Sequence, residues 1–200
     1  MIIGIPKEIK IHEYRVALTP AGSKILTDLG HKIIVQSKAG DAIGFNDQAY
    51  QAVGASIVDS AEAVFDQAEM IIKVKEPQPS ECKLLNKNQI LFTYLHLAAD
   101  PKQTELLLAS GTACIAYETI TDDNGRLPLL QPMSEIAGRM SVQSGAHHLE
   151  KTQGGSGVLL SGATGVESAQ VLVLGGGVVG MNAAKVALGM GAKVTILNRS

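Results

Sequence analysis

Three residues in the first hundred positions have the chemistry to handle a small anionic substrate: Arg15, Lys75 and His96. Arg15 stands in "EYRVALTPAG", between charged loop residues and a helix start. A guanidinium there can hold a carboxylate through two parallel hydrogen bonds. Lys75 closes "MIIKVK" (70–75), an apolar run that reads as a strand halted by Pro77. It lies at the strand's carboxyl end, the edge where open α/β sheets bind ligands. Lys73 falls on the same face and reads as structural or solvated, since lysines are rarely buried without a partner. His96 follows the apolar run of "ILFTYLHL" (90–97), and an imidazole can move a proton near neutral pH. His12, in the Arg15 loop, is a weaker candidate, and His31, His147 and His148 read as surface or structural. Taken one at a time, each has a plainer reading, because most arginines are solvated and a lone His is usually a satisfied, partly buried residue.

A second constellation lies in "VLVLGGGVVGMNAAKVALGMGAKVTILNRS", where Gly175, Gly177 and Gly180 spell G-x-G-x-x-G. The motif follows a predicted strand and opens a predicted helix, as dinucleotide binding requires. Gly175 permits the tight turn, Gly177 leaves room for a pyrophosphate, and Gly180 lets helix and strand approach. The unpaired N–H groups at the helix start would face the phosphates. The next strand should end in an acid that binds the adenosine ribose, but this chain carries Asn198 followed by Arg199. Asn does not repel a 2′-phosphate and Arg199 could attract one. These residues therefore leave the preference for NAD over NADP open, with NADP not excluded.

The elements that must position these groups alternate. Strands are predicted at 2–6, 32–36, around "SIV", and at 70–75, 90–97 and 112–118. Helices between them open on Thr19, Asn46 and Asp100 and close on Gly30 and Gly111. Strands alternating with helices imply a mostly parallel sheet covered on both faces. "DDNGRLPLLQP" (122–132) carries the punctuation of a boundary. "MSEIAGRMSVQSGAHHLEK" then reads as one long helix, followed by a glycine-rich loop and a strand–helix–strand unit. The fold class is α/β, with a parallel-sheet substrate domain over 1–128. A connecting helix and the first βαβ of a Rossmann dinucleotide-binding domain follow over 129–200.

Composition bounds the partners. Net charge is −2, Trp is absent and aromatics make up 4% of the chain, which argues against nucleic acid and a membrane surface. No stretch reaches the ~18 apolar residues of a membrane span, and the first residues lack a signal-peptide layout. Cys82 and Cys114 lie far apart with no CxxC spacing, so no disulfide framework or zinc site is expected, and a reducing cytoplasm is the plain reading.

The blocks "GIPKEIK…EYRVALTPAG", "IIKVKEP", "ILFTYLHLAAD", "ACIAYETI" and "PLLQPMSEIAGR" together resemble the alanine dehydrogenase family, over essentially all 200 residues. The resemblance implies reversible, NAD-dependent oxidative deamination of L-alanine to pyruvate and ammonia. On it, Arg15 and Lys75 bind substrate and His96 is the general acid/base. Ser134, Val178 and Val179 join the glycines as cofactor contacts, Met133 closes the pocket, and Asn198 takes the ribose position where the family usually has Asp. It also implies a homohexamer, and a chain that is the inactive front half of a longer enzyme whose second catalytic carboxylate lies beyond residue 200. The nucleotide-binding subunit of an NAD(P) transhydrogenase shares this pattern but would not need the Lys75–His96 pair. A saccharopine dehydrogenase-type enzyme and a non-catalytic nucleotide or amino-acid sensor are further alternatives.

Overall fold

Pro6 has no N–H to give to a ladder, so the first strand, β1 (Ile2–Ile5), stops in front of it. In the computed structural model, which describes residues 1–199, β1 lies inside a six-stranded parallel sheet. The other strands are β2 (Lys32–Gln36), β3 (Ser56–Val58), β4 (Met70–Ile72), β5 (Ile90–Thr93) and β6 (Ala113–Ala116), in the order β3-β2-β1-β4-β5-β6. After β3 the chain returns past β1 to lay down β4 on its other side. The junction between β1 and β4 is therefore the point where strand order reverses.

The intervening helices are α1 (Pro20–Asp28), α2 (Asp47–Gln51), α3 (Ala61–Gln67), α4 (Pro79–Cys82) and α5 (Pro101–Ser110). Their starts follow from short polar side chains that take an otherwise orphaned backbone N–H. Thr19 accepts from Gly22, Asn46 from Ala49, Ser60 from Ala63 and Asp100 from Gln103. Successive strand residues point to opposite faces. Ile33 and Val35 thus enter one core with Ile3, Ile5, Tyr50 and Ile72, while Ile34 enters the other with Phe65, Ile71, Leu91 and Leu95. Each fully buried Phe or Leu stabilises the fold by about 1.5–3 kcal/mol relative to exposure. These two cores fix the sheet whose carboxyl edge carries the polar groups.

Compactness divides the chain after Ile120, ahead of the 128/129 limit read from the sequence. The reason is local: Asp122 N–H donates to Arg126, and Leu130 and Gln131 donate to Leu127, so this turn leads directly into the next helix. The second unit, from Thr121 on, holds α6 (Gln131–His148), β7 (Gln170–Leu174), α7 (Val178–Gly189) and β8 (Lys193–Leu197). β7 and β8 pair in parallel from Gln170 opposite Lys193 to Leu174 opposite Leu197. The core here is Val142, Leu160, Ala183, Ala187 and Ala192. Small residues let α6 and α7 approach closely: a Cβ on Gly138 would sit 2.2 Å from the Val179 carbonyl oxygen. Among the described residues, no helix is long and apolar enough to cross a membrane.

Three strands are markedly shorter than expected. The strand read at 112–118 spans only Ala113–Ala116, "MIIKVK" leaves the ladder after Ile72, and "ILFTYLHL" leaves it after Thr93. Lys75 and His96 consequently stand in turns beyond their strands rather than on them, and α4 was not foreseen.

Candidate functional site

Carboxylates capture the backbone where these strands end. Glu8, two residues beyond Pro6, accepts from the Val74 N–H at 2.6 Å and the Lys75 N–H at 3.4 Å through Oε1. Its Oε2 takes Lys73 Nζ at 3.0 Å, and Lys73 also reaches Glu81 Oε1 at 2.8 Å. Lys73 is fully buried and thus structural, one cation held between two carboxylates. Burial outweighs the attraction of Lys73 and the Val74 hydrogen bond, and pushes the Glu8 carboxyl above its ordinary value. Thr93 Oγ1 donates to the Lys75 carbonyl at 3.0 Å. The turn carrying Lys75 is therefore bonded on both sides, to the exits of β1 and β5.

His96 has φ 51, a left-handed conformation uncommon outside Gly, Asn, Asp and His. Glu118 holds it there: Oε1 accepts the His96 N–H at 2.7 Å and the Leu95 N–H at 3.1 Å. Burial alone would raise Glu118, but these N–H groups, its own backbone and the charge of His96 together hold it below the ordinary carboxylate value. Beneath this turn Tyr117 stands edge-on to both Phe92 and Tyr94, with ring centroids 4.3 and 4.9 Å apart. Burial pushes the Tyr117 hydroxyl well above its ordinary value.

Arg15 arrives already clamped. Its Nε and Nη2 donate to Glu13 at 2.8 and 2.5 Å, and its backbone N–H donates to the same carboxylate at 2.9 Å. The guanidinium beside it holds the Glu13 carboxyl below its ordinary value. Lys75 adds to the field on Glu13 and on Glu76, and Arg15 acts on Tyr94. Glu76 pairs with Lys10 through Oε1 and stands 3.7 Å from His96 Nδ1 through Oε2. Arg15, Lys75 and His96 thus fall in one electrostatic cluster at the carboxyl ends of β1, β4 and β5, across the strand-order reversal where such sheets bind ligands. His12, the weaker candidate, has its Nδ1 3.3 Å from the Tyr14 hydroxyl. The acids Glu8, Glu13, Glu76 and Glu118 went unread in the sequence, although all stand in or beside the motifs that carried the cations. The available signal was one acid near each base at a strand exit.

In the second unit the glycine loop has the form its spacing predicts. Gly175 has φ +99, a Cβ on Gly180 would lie 1.8 Å from the Gly175 carbonyl oxygen, and a Cβ on Gly177 would meet nothing within 4 Å. The first amides of α7, at Val178 and Val179, open beside that space. Ser134, on α6 next to Met133, shares one cleft of about 1140 Å³ with Gly175, Gly177, Val178, Val179 and Gly180. Asn198 accepts the Gly176 N–H through Oδ1 at 3.0 Å, so its carboxamide braces the loop. Among the described residues, no group of three or more His, Cys, Asp or Glu side chains is arranged to hold a metal ion.

Comparison with known proteins agrees with both halves. The family described as alanine dehydrogenase/PNT, N-terminal domain, matches residues 4–137, and the corresponding C-terminal domain matches residues 141–200. The alanine dehydrogenase of Halomonas elongata is 58% identical over 200 residues, which is 100% of this chain and 54% of its own length. A solved L-alanine dehydrogenase superposes with a TM-score of 0.91 at 53% identity, covering 98% of this chain and 54% of that one. A transhydrogenase from Sinorhizobium meliloti superposes with a TM-score of 0.81 at 25% identity, covering 98% of this chain and 58% of that one. The chain spans about half the length of the curated relatives it matches. With both domains matched in order along nearly its whole length, the chain belongs to the alanine dehydrogenase/PNT family.

Proposed function

We propose that this chain serves a nicotinamide-dinucleotide-dependent alanine dehydrogenase that interconverts L-alanine with pyruvate and ammonia. The observation that carries the reading is the grouping of Arg15, Lys75 and His96 at three strand exits around the switch point of a parallel sheet. Identity of 58% to the Halomonas elongata alanine dehydrogenase along the same residues supports it.

Each group has a task that its surroundings favour. Arg15, already oriented by Glu13, grips the substrate carboxylate, and a hydrogen bond to a charged group contributes ~1.5–3 kcal/mol. Lys75, fixed through its backbone by Glu8, polarises the carbonyl or carboxylate oxygens. His96, half exposed at the mouth of the cluster, takes a proton from the water whose oxygen adds to the imino carbon. It returns that proton to the nitrogen that leaves as ammonia and takes the hydroxyl proton as the carbonyl forms, a role worth ~10²–10⁴ in rate.

The glycine turn suits a dinucleotide, because the open space at Gly177 and the amides of α7 accept a pyrophosphate. Ser134, Gly175, Gly177, Val178, Val179 and Gly180 would hold it, with Asn198 toward the ribose. When bound, it supplies the hydride acceptor for the alanine α-carbon. Asn198 lacks the charge that turns away a 2′-phosphate, so NADP is accepted alongside NAD to a measurable degree. The same reading carries a homohexamer and a cytoplasmic location, checked by analytical ultracentrifugation and cell fractionation.

The test is turnover of L-alanine by the full-length protein with NAD and with NADP. His96→Ala is expected to lose at least ~100-fold in rate. No turnover with either cofactor would remove alanine as the substrate and bring the transhydrogenase reading forward.

A further inference from the structure

Glu76 is placed for more than a salt bridge. It follows Lys75 in the turn after β4, and its side chain is only 13% exposed. Oε1 is taken by Lys10, from the loop after β1. Oε2 is buried and has no hydrogen-bond partner among the described residues. That orphaned oxygen lies 3.7 Å from His96 Nδ1, about 1 Å beyond a charge-assisted hydrogen bond. A buried carboxylate oxygen without a donor is costly, and the nearest ring nitrogen can supply one by a small rotation of a half-exposed side chain.

We infer that Glu76 is the positioning residue of His96, accepting from Nδ1–H so that Nε2 is the nitrogen that exchanges protons with substrate. The inference rests on the role given to His96 above. A carboxylate on one ring nitrogen fixes the tautomer, orients the imidazole and stabilises the imidazolium when it forms. Lys10 tempers this by neutralising part of the Glu76 charge. Glu118 acts on the same residue by a different route, holding the His96 backbone rather than its ring. The groups facing His96 are thus Glu76 from the turn after β4, Glu118 from the turn after β6, and Tyr94 from its own strand exit. Lys10 and Lys75 stand behind or beside Glu76.

The two sides of this arrangement make opposite predictions. In the full-length protein labelled with ¹⁵N-histidine, the His96 signal is assigned by its loss in His96→Asn. Glu76→Gln should lower its titration midpoint and move the neutral ring away from the Nδ1–H tautomer. Lys10→Met should raise the midpoint. In turnover, Glu76→Gln should lower kcat about tenfold, with KM for alanine nearly unchanged and the His96 limb of the pH profile moved to lower pH. An unmoved midpoint in Glu76→Gln, or a shift in the same direction in both variants, would overturn the inference. If Glu76→Gln fails to fold, Lys10→Met decides alone, since it leaves the carboxylate in place. A wild-type protein that shows the coupling but does not turn over alanine would sink the proposed reaction and leave the Glu76–His96 pair standing.

Discussion

The two units solve the same packing problem with different residues. All four tyrosines and all three phenylalanines lie within Met1–Ile120, so the second unit has no Phe, Tyr or Trp. The first unit fills two broad cores with Phe65, Tyr50, Leu91 and a set of isoleucines, and its central strands are buried. The second packs Ala183, Ala187 and Ala192 against Val142 and relies on glycine where α6 and α7 come together. Its strands are open, with Leu172 at 58% and Leu174 at 76% exposure. On the proposed function the contrast has a use: a small charged substrate would need a rigid floor under converging side chains, whereas a dinucleotide would need backbone amides brought close, which small residues allow.

That contrast can be broken in four ways, from largest effect to smallest. Leu91→Ala should destabilise the first unit by about 2–5 kcal/mol, because it leaves a cavity in a fully buried layer. Tyrosine fluorescence during urea unfolding reads this unit alone, since every tyrosine lies in it. Gly180→Ala should cost the second unit ~1–3 kcal/mol through its clash with the Gly175 carbonyl, seen as faster hydrogen exchange in α7. Gly177→Ala, whose Cβ meets nothing, should leave exchange unchanged and weaken NADH binding to the full-length protein.

The third concerns acid. Glu13, Glu76 and Glu118 are held below the ordinary value of 4.5. A carboxyl depressed in the folded state adds stability above its unfolded value and loses it as pH falls toward the folded one. Glu8, raised by burial, has the opposite sign and fades as pH rises. The tyrosine-reported urea midpoint should therefore fall as pH drops below 4.5, and Glu118→Gln should flatten that fall. Last, Leu172→Ala in the 200-residue chain should change stability by no more than ~0.5 kcal/mol, despite removing the same side chain as Leu91→Ala.

Much of this was legible in the residues. Thr19, Asn46 and Asp100 cap the helices they were expected to cap, because capping is a local contest between one side chain and one N–H. The glycine turn follows from sterics within a few residues. The ends of β4 and β5 were not legible, since what stops each is a carboxylate from a distant segment: Glu8 captures Val74, and Glu118 captures Leu95 and His96. The same long-range pairing hid the acids of the cluster. Lys75 and His96 announced themselves by being polar at the ends of apolar runs, while Glu8 and Glu76 looked like ordinary charges in loops. Only the fold brings each to its base.

The place of β1 has a consequence for synthesis. It precedes every other strand of its sheet in the chain, yet it lies inside that sheet, with β2 on one side and β4 on the other. Its second edge cannot close until Met70–Ile72 has left the ribosome, several seconds later at ~5–20 residues per second. Until then Ile2–Ile5 is an apolar strand with an open edge that a chaperone, or another nascent copy, can reach first.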